Sequence, residues 1–288
     1  LREDYKMVVN IIAGALMAMA IPQSTDTTFA VDPGLRLELH NSSGYIVVRT
    51  WERNEVRVRA DNVFRGGFVV ERTSSALRIG ARRWDYDDDD IDYLLTVPAA
   101  MDLELSSSDG DIRVDGTAGE VTARASDGDV LIRGGSGRVS ARTSDGSITA
   151  ENVAGRIHLE SSDGDITVER ATGDIEIEAT DGTVELWEVE ATSVQVDNVD
   201  GDIMFDGVLA PRGSYRLSTH DGDISVHIPE GTGARVQLGI YDGDFSSNFS
   251  ITFPQWPRGR RVEFTLGNGS AELQAETFDG DISLMRRP

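Results

Sequence analysis

No cysteine occurs among the 288 residues, which excludes disulfide cross-links, thiolate metal sites and thiol nucleophiles. Lysine is nearly absent as well. Lys6 is the only one, so any lysine-dependent chemistry would have to use a residue at the extreme N-terminus. Basic residues are outnumbered: 27 Lys+Arg stand against 50 Asp+Glu, a formal charge of −23. That balance argues against a nucleic-acid backbone or an anionic bilayer surface as the main partner. The apolar fraction, 39%, is low for a compact globule but too high and too evenly spread for disorder.

The N-terminus reads differently from the rest. Met7 to Ala20 is an apolar run of 14 residues preceded by Arg2 and Lys6, too short for a membrane span, which takes about 20. Ala18-Met19-Ala20 offers the small-x-small pattern of a signal-peptidase site. Residues 1–20 are therefore expected to be a cleaved signal peptide, and the protein to be exported: extracellular, periplasmic or envelope-associated, with no transmembrane segment in the mature chain. Glu3 and Asp4 are unusual in a basic leader, and a buried or interfacial N-terminal helix is the alternative.

A tandem repeat occupies most of the chain beyond residue 100. The Asp of each Asp-Gly pair falls at 109, 127, 145, 163, 181, 200, 221, 242 and 279, with spacings of 18, 18, 18, 18, 19, 21, 21 and 37. The last gap spans two periods, and Arg258-Gly259 stands where the missing pair would be. A second glycine column, Gly119, Gly137, Gly155 and Gly173, runs half a period out of phase.

Each repeat reads as two short strands with strictly alternating apolar residues, such as Asp165-Ile166-Thr167-Val168 and Asp174-Ile175-Glu176-Ile177. Aligned on the period, Ile112, Val130, Ile148, Ile166, Val184, Ile203 and Ile224 form one inward column, and Val121, Val139, Ile157 and Ile175 another. So short a strand cannot hold itself together, but stacking coils about 4.8 Å apart pairs the backbones and buries the columns. The glycine pairs supply the corners, because glycine accepts positive φ and Asp can bond within its own turn. The expected fold is all-β: a right-handed β-solenoid of 18–21-residue coils. A two-layer sandwich of hairpins is the rival, which would favour longer strands and turns of varying length. Residues 28–100 hold longer alternating segments with irregular connections, read as irregular N-terminal coils that cap the regular repeats of 101–288. With no linker rich in Pro, Gly or Ser, 28–288 is expected to be a single elongated domain.

The stretch from Leu37 to Val58, the serial Ser-Asp-Gly-Asp-Ile-x-Val units and the ending from Gly267 to Leu284 resemble the bacterial β-strand-repeat "putative adhesin" family, formally a domain of unknown function. The resemblance covers roughly residues 28 to 286. It implies an exported protein with a right-handed β-helix-like fold, and brings no activity or catalytic residues with it.

Three constellations could carry function. The corner aspartates, among them Asp109, Asp111, Asp127, Asp129, Asp163 and Asp165, could hold Ca²⁺ between coils; the other reading is turn chemistry, since two such charges repel in water by only ~0.9 kcal/mol. The run from Asp85 to Asp92 lacks the spacing and glycine of an EF-hand loop and reads as a solvated loop. His40, His158, His220 and His227 are scattered, and neither His158 nor His220 has a partner at the repeat offset for a triad or zinc site. The excursion from Phe245 to Val262 breaks the repeat and gathers Phe249, Phe253, Trp256, Arg258, Arg260 and Arg261, the composition of interface hot spots. It would serve either as a binding loop or as a latch over the last coils.

The residues thus point to a non-enzymatic exported solenoid acting as a cell-surface adhesin or protein-interaction scaffold, with no cofactor and a cell-surface or envelope protein or glycan as partner. An envelope-stress sensor binding a membrane partner and a polysaccharide-acting β-helix enzyme are the alternatives.

Overall fold

A computed structural model describes residues 6–7, 23–63, 68–81, 90–251 and 261–287. Most of the expected signal peptide, the acidic run through Asp89 and the centre of the 245–262 excursion lie outside them. Every described element is a strand, and no helix occurs among the described residues. The chain divides into two compact units, residues 1–141 and 142–288.

In the first unit the repeat builds coils of two strands. Asp102–Asp109 leads through an Asp-Gly corner into Ile112–Thr117, and Val121–Asp127 leads likewise into Val130–Gly135. Equivalent strands pair in parallel, Leu103 with Val121 and Ile112 with Val130. The apolar residues alternate inward as expected, and two facing columns close the core: Tyr93, Ile46, Ile112 and Val130 on one sheet, Ile79, Leu39, Leu105 and Ala123 on the other. Burying one such aliphatic side chain is worth about 1.5–3 kcal/mol, so these columns are the main favourable term in folding.

Those columns do not follow chain order. The strand Arg36–Ser43 lies between Ala76–Ala81 and Asp102–Asp109, and Ile46–Trp51 lies between Asp92–Pro98 and Ile112–Thr117. The later coil, 76–98, is therefore the outer one. Antiparallel strands cover it: Phe68–Arg72 against Ala76–Ala81, and Glu55–Val63 against Asp92–Pro98 with Gln23–Ala30 beyond. The irregularity of residues 28–100 is this exchange of order plus its antiparallel cover.

The second unit repeats the device at its C-terminal side. From 148 to 228 the coils stack in chain order, with Ile148, Ile166, Val184, Ile203 and Ile224 in register. The order then breaks. The final coil, Ala271–Asp279 with Ile282–Arg286, inserts between Ser214–Asp221 with Ile224–Ile228 on one side and Ala234–Asp242 with Phe245–Ser247 on the other. Arg261–Leu266 then runs antiparallel to residues 234–239. The 37-residue gap thus holds a reversed covering strand rather than a missing coil. A smaller departure is that the second corner need not break a strand: Ile148–Asp163 and Val184–Asp197 each run unbroken through it.

Glycine is obligatory at the Asp-Gly corner because adjacent coils touch there. A Cβ on Gly280, at φ +149°, would sit 2.2 Å from the Gly222 carbonyl oxygen, and one on Gly164 would sit 2.3 Å from that of Gly146. Behind the glycine runs a buried polar seam at the position two before the Asp. Thr277 Oγ1 donates to Gly222 O at 2.9 Å, Thr219 Oγ1 to Gly201 O at 3.0 Å, and Asn198 Nδ2 to the carbonyls of both Gly182 and Gly201. Asn41 bridges the exchanged coils of the first unit by donating to Ser43 O, Gly44 O and Ile91 O.

A third column is strained. Gly116 and Gly134 take left-handed φ of 72° and 66°, and at the same offset Asn152, Arg170 and Glu188 are held at 55°, 53° and 54°. For Arg and Glu this conformation costs about 1–2 kcal/mol, sustained by the flanking pairs. Glu188→Gly is therefore expected to stabilise the chain by about 1 kcal/mol, its 3.9 Å exposed pair with Arg287 contributing little. Gly280→Ala is expected to destabilise it by roughly 3 kcal/mol or more. Urea unfolding of the full chain reads both; equal effects of one sign would contradict the assigned backbone.

Candidate interaction surface

The corner aspartates fall into two roles. The residue after the glycine bridges coils: Asp111 Oδ1 accepts from the Asp129 N–H at 2.9 Å and Asp165 Oδ1 from the Thr183 N–H at 2.8 Å. Asp202, Asp223 and Asp281 do the same for Asp223, Asp281 and Asp244. The residue before the glycine joins through its backbone, Asp127 O accepting from Gly110 N and Asp163 O from Gly146 N. Asp109, Asp127 and Asp163 are themselves exposed. No group of three or more His, Asp or Glu placed to hold a metal ion occurs among the described residues.

Of the aromatic and arginine candidates in the excursion, Phe253, Trp256, Arg258 and Arg260 lie outside the described residues. Phe249 is half-buried beneath the Arg286 guanidinium, 5.5 Å from ring centre to Cζ. Ser247 Oγ donates to Leu284 O, the Arg286 N–H donates to Asn248 Oδ1, and the Phe245 and Phe264 rings meet at 5.8 Å. The start of the excursion is thus held against the last strand. Arg261 is exposed and pairs in register with Gly239.

The histidines sit on open sheet faces. His158 lies 2.7 Å from Glu160 and 3.4 Å from Glu176. His40 Nδ1 is 2.9 Å from Ser106 Oγ, on the outward side of the parallel strands Arg36–Ser43 and Asp102–Asp109. Shifted ionisations mark structural positions: burial raises Tyr93 and Tyr215, and the hydrogen bond from Arg57 lowers Asp26.

The most distinctive surface feature is one that the repeat pattern alone did not single out. The residue before each Asp-Gly is exposed, and in the earlier repeats it is Ser108, Ser126, Ser162 and Thr180. In the last coils it becomes Val199, His220, Phe278 and Tyr241, in spatial order. The three rings stack: His220 on Phe278 at 4.9 Å and 16°, Phe278 on Tyr241 at 5.3 Å and 24°. Phe278 stays 48% exposed and Val199 53%, large values for apolar residues with a core available beside them. The common signal, a hydroxyl residue giving way to ring and aliphatic ones at a fixed offset from Asp-Gly, was present in the sequence. Its contiguity depends on the insertion of the last coil.

The surroundings are anionic. Residues 142–288 carry 27 acidic and 11 basic residues, net −16, against 23 and 16, net −7, for residues 1–141. Residues 171–211 contain 11 acidic and no basic residues. Asp200, Asp202, Asp221, Asp223, Asp279, Asp281, Asp242 and Asp244 are all exposed at the corners that bear Val199 and the rings.

Stacked two-strand coils in parallel register, each turned by a glycine corner, define a β-repeat protein. The model of the Toastrack family, DUF4097, matches residues 4–179 and again 171–285, and the chain belongs to that family. No curated protein matches it. Among solved structures it is similar to a "putative cell adhesion protein" from Clostridium sporogenes, at 9% identity over 92% of this chain and 100% of that one, with a TM-score of 0.23; a likeness at that score says nothing about function.

Two measurements separate a presented surface from a structural one. Phe278→Ser, which installs the residue of the earlier corners, is expected to cost about 1 kcal/mol or less in urea unfolding; a loss of 3 kcal/mol would make the ring part of the core. Calcium chloride is expected to raise Tm no further than sodium chloride of equal ionic strength, because both screen the corner charges. A specific gain of many degrees would mean that the stacked carboxylates hold the ion.

Proposed function

We propose that this chain is a non-enzymatic, exported interaction protein that presents its C-terminal corner column to a partner at the cell surface or envelope, as an adhesin or scaffold, on coils of right-handed sense. The observation that carries the reading is the exposed His220–Phe278–Tyr241 stack. A repeat corner tolerates serine, so three rings in successive coils are not needed to turn the chain. Exposed apolar surface costs solubility, and on a folded protein contiguous patches of it mark interaction sites. The acidic surroundings would keep such a protein soluble and turn away polyanions.

Fractionation of the native host tests the location, with the protein expected in the envelope or the medium; retention in the cytosol overturns the reading. A photo-crosslinking residue at position 278 on intact cells is expected to give a discrete adduct that the same residue at position 126 does not give. Adducts of equal yield at both corners would remove the special role of the stack.

A further inference from the structure

We infer that the partner segment docked on this column is basic: an extended peptide stretch rich in Arg or Lys interleaved with small or apolar residues. The inference rests on the interaction reading above and adds the chemistry of the occupant. The His220, Phe278 and Tyr241 rings lie face to face at 4.9 and 5.3 Å, so two of the ring faces in each contact are already used and the column offers ring edges to solvent. A pyranose stacking on an aromatic platform needs a free face, which Phe278, held between two rings, does not offer. The edges instead form an apolar strip one side chain wide, suited to the methylene stems of Arg and Lys.

Carboxylates lie on both sides of the strip. Downstream are the paired corner aspartates, Asp221 and Asp223, Asp279 and Asp281, Asp242 and Asp244. In each of the first two pairs the residue after the glycine spends one oxygen on the next coil's N–H, while all six residues remain exposed. Upstream, two residues before Val199 and Phe278, stand Asp197 and Glu276. A neutral or anionic partner covering the strip would desolvate these charges without pairing them, a cost that outweighs the small apolar gain. A basic segment pairs them and relieves their mutual repulsion across adjacent coils. Arg261, opposite Gly239, stands at the far edge of this face.

The repeat supplies its own test variant, since serine occupies the same corner in earlier coils. Binding of a labelled peptide of alternating Arg and Val to the full chain is measured by fluorescence anisotropy, beside the Glu-Val counterpart and a neutral oligosaccharide. Binding of the Arg-Val peptide alone is expected, weakening about tenfold between 50 and 300 mM NaCl as the charges are screened. The His220→Ser/Tyr241→Ser/Phe278→Ser variant, checked by circular dichroism and Tm, is expected to lose about tenfold or more in affinity. The Asp221→Asn/Asp242→Asn/Asp279→Asn variant, which keeps all three rings, is expected to lose affinity and flatten the salt dependence. Unchanged affinity in the serine variant would reduce the effect to diffuse charge and overturn the inference, as would binding of the oligosaccharide or the Glu-Val peptide. If position 278 crosslinks a partner on cells while the Arg-Val peptide does not bind, the basic-partner inference fails and the interaction reading stands; absence of both fails both.

Discussion

Each coil rests on its neighbour through a glycine. At the Asp-Gly corner the next coil's carbonyl oxygen comes so near that a methyl group would overlap it, as the 2.2 and 2.3 Å separations at Gly280 and Gly164 show. That approach keeps the corner flat and holds the parallel strands at their hydrogen-bonding distance. Because the corner is flat, the following Asp can reach the backbone N–H of the adjacent coil, and the Thr or Asn two residues earlier can reach a glycine carbonyl from inside. The residue immediately before the Asp has only one way to point, outward, and its counterpart in the next coil points the same way one strand spacing along. A backbone constraint thus lines up chemically free positions into a column, and the stacked rings of the second unit are that column filled with aromatic side chains.

The two units handle an exposed edge in the same manner. A parallel strand with no neighbour presents a row of unpaired N–H and C=O groups. In residues 1–141 the coil 76–98 is placed outside the earlier coil 36–51 and covered by antiparallel strands. In residues 142–288 the coil 234–247 is outermost and Arg261–Leu266 runs back along it. Reversing direction is the economical choice: an antiparallel neighbour needs only a short connection, whereas another parallel one needs a full coil.

What the sequence disclosed was what the backbone geometry demands of side chains directly. The Asp-Gly period, the inward columns through Ile166, Val184, Ile203 and Ile224, and the all-β class follow from glycine at a close approach and apolar residues on a buried face. Coil order left almost no trace. Ile224 neighbours Ile282 rather than Phe245, and a periodic sequence is silent on which of two equivalent coils lies nearer. Arg170 and Glu188 hid the left-handed column because their residue types disfavour it; the pairing around them overrides local preference. For the candidate surface, the break at 245–262 drew attention to an unusual segment, while Tyr241 and Phe278 looked like ordinary repeat positions. Only their adjacency makes them a stack.

The inserted final coil also sets the order in which the second unit can be completed. The bridging bond between Asp281 and Asp223 spans 58 residues, against 18 for that between Thr183 and Asp165, an added loop-closure cost of about 1 kcal/mol. More consequential is competition. The strands Ser214–Asp221 and Ala234–Asp242 both pair in the same register with Ala271–Asp279, so each carries the pattern needed to pair with the other before that strand arrives. Closing that gap early gives a well-paired but wrong structure one layer short, with the chain's last strands shut out. Correct folding therefore has a kinetic trap built into its own periodicity, and escape from it requires parting two strands that already match.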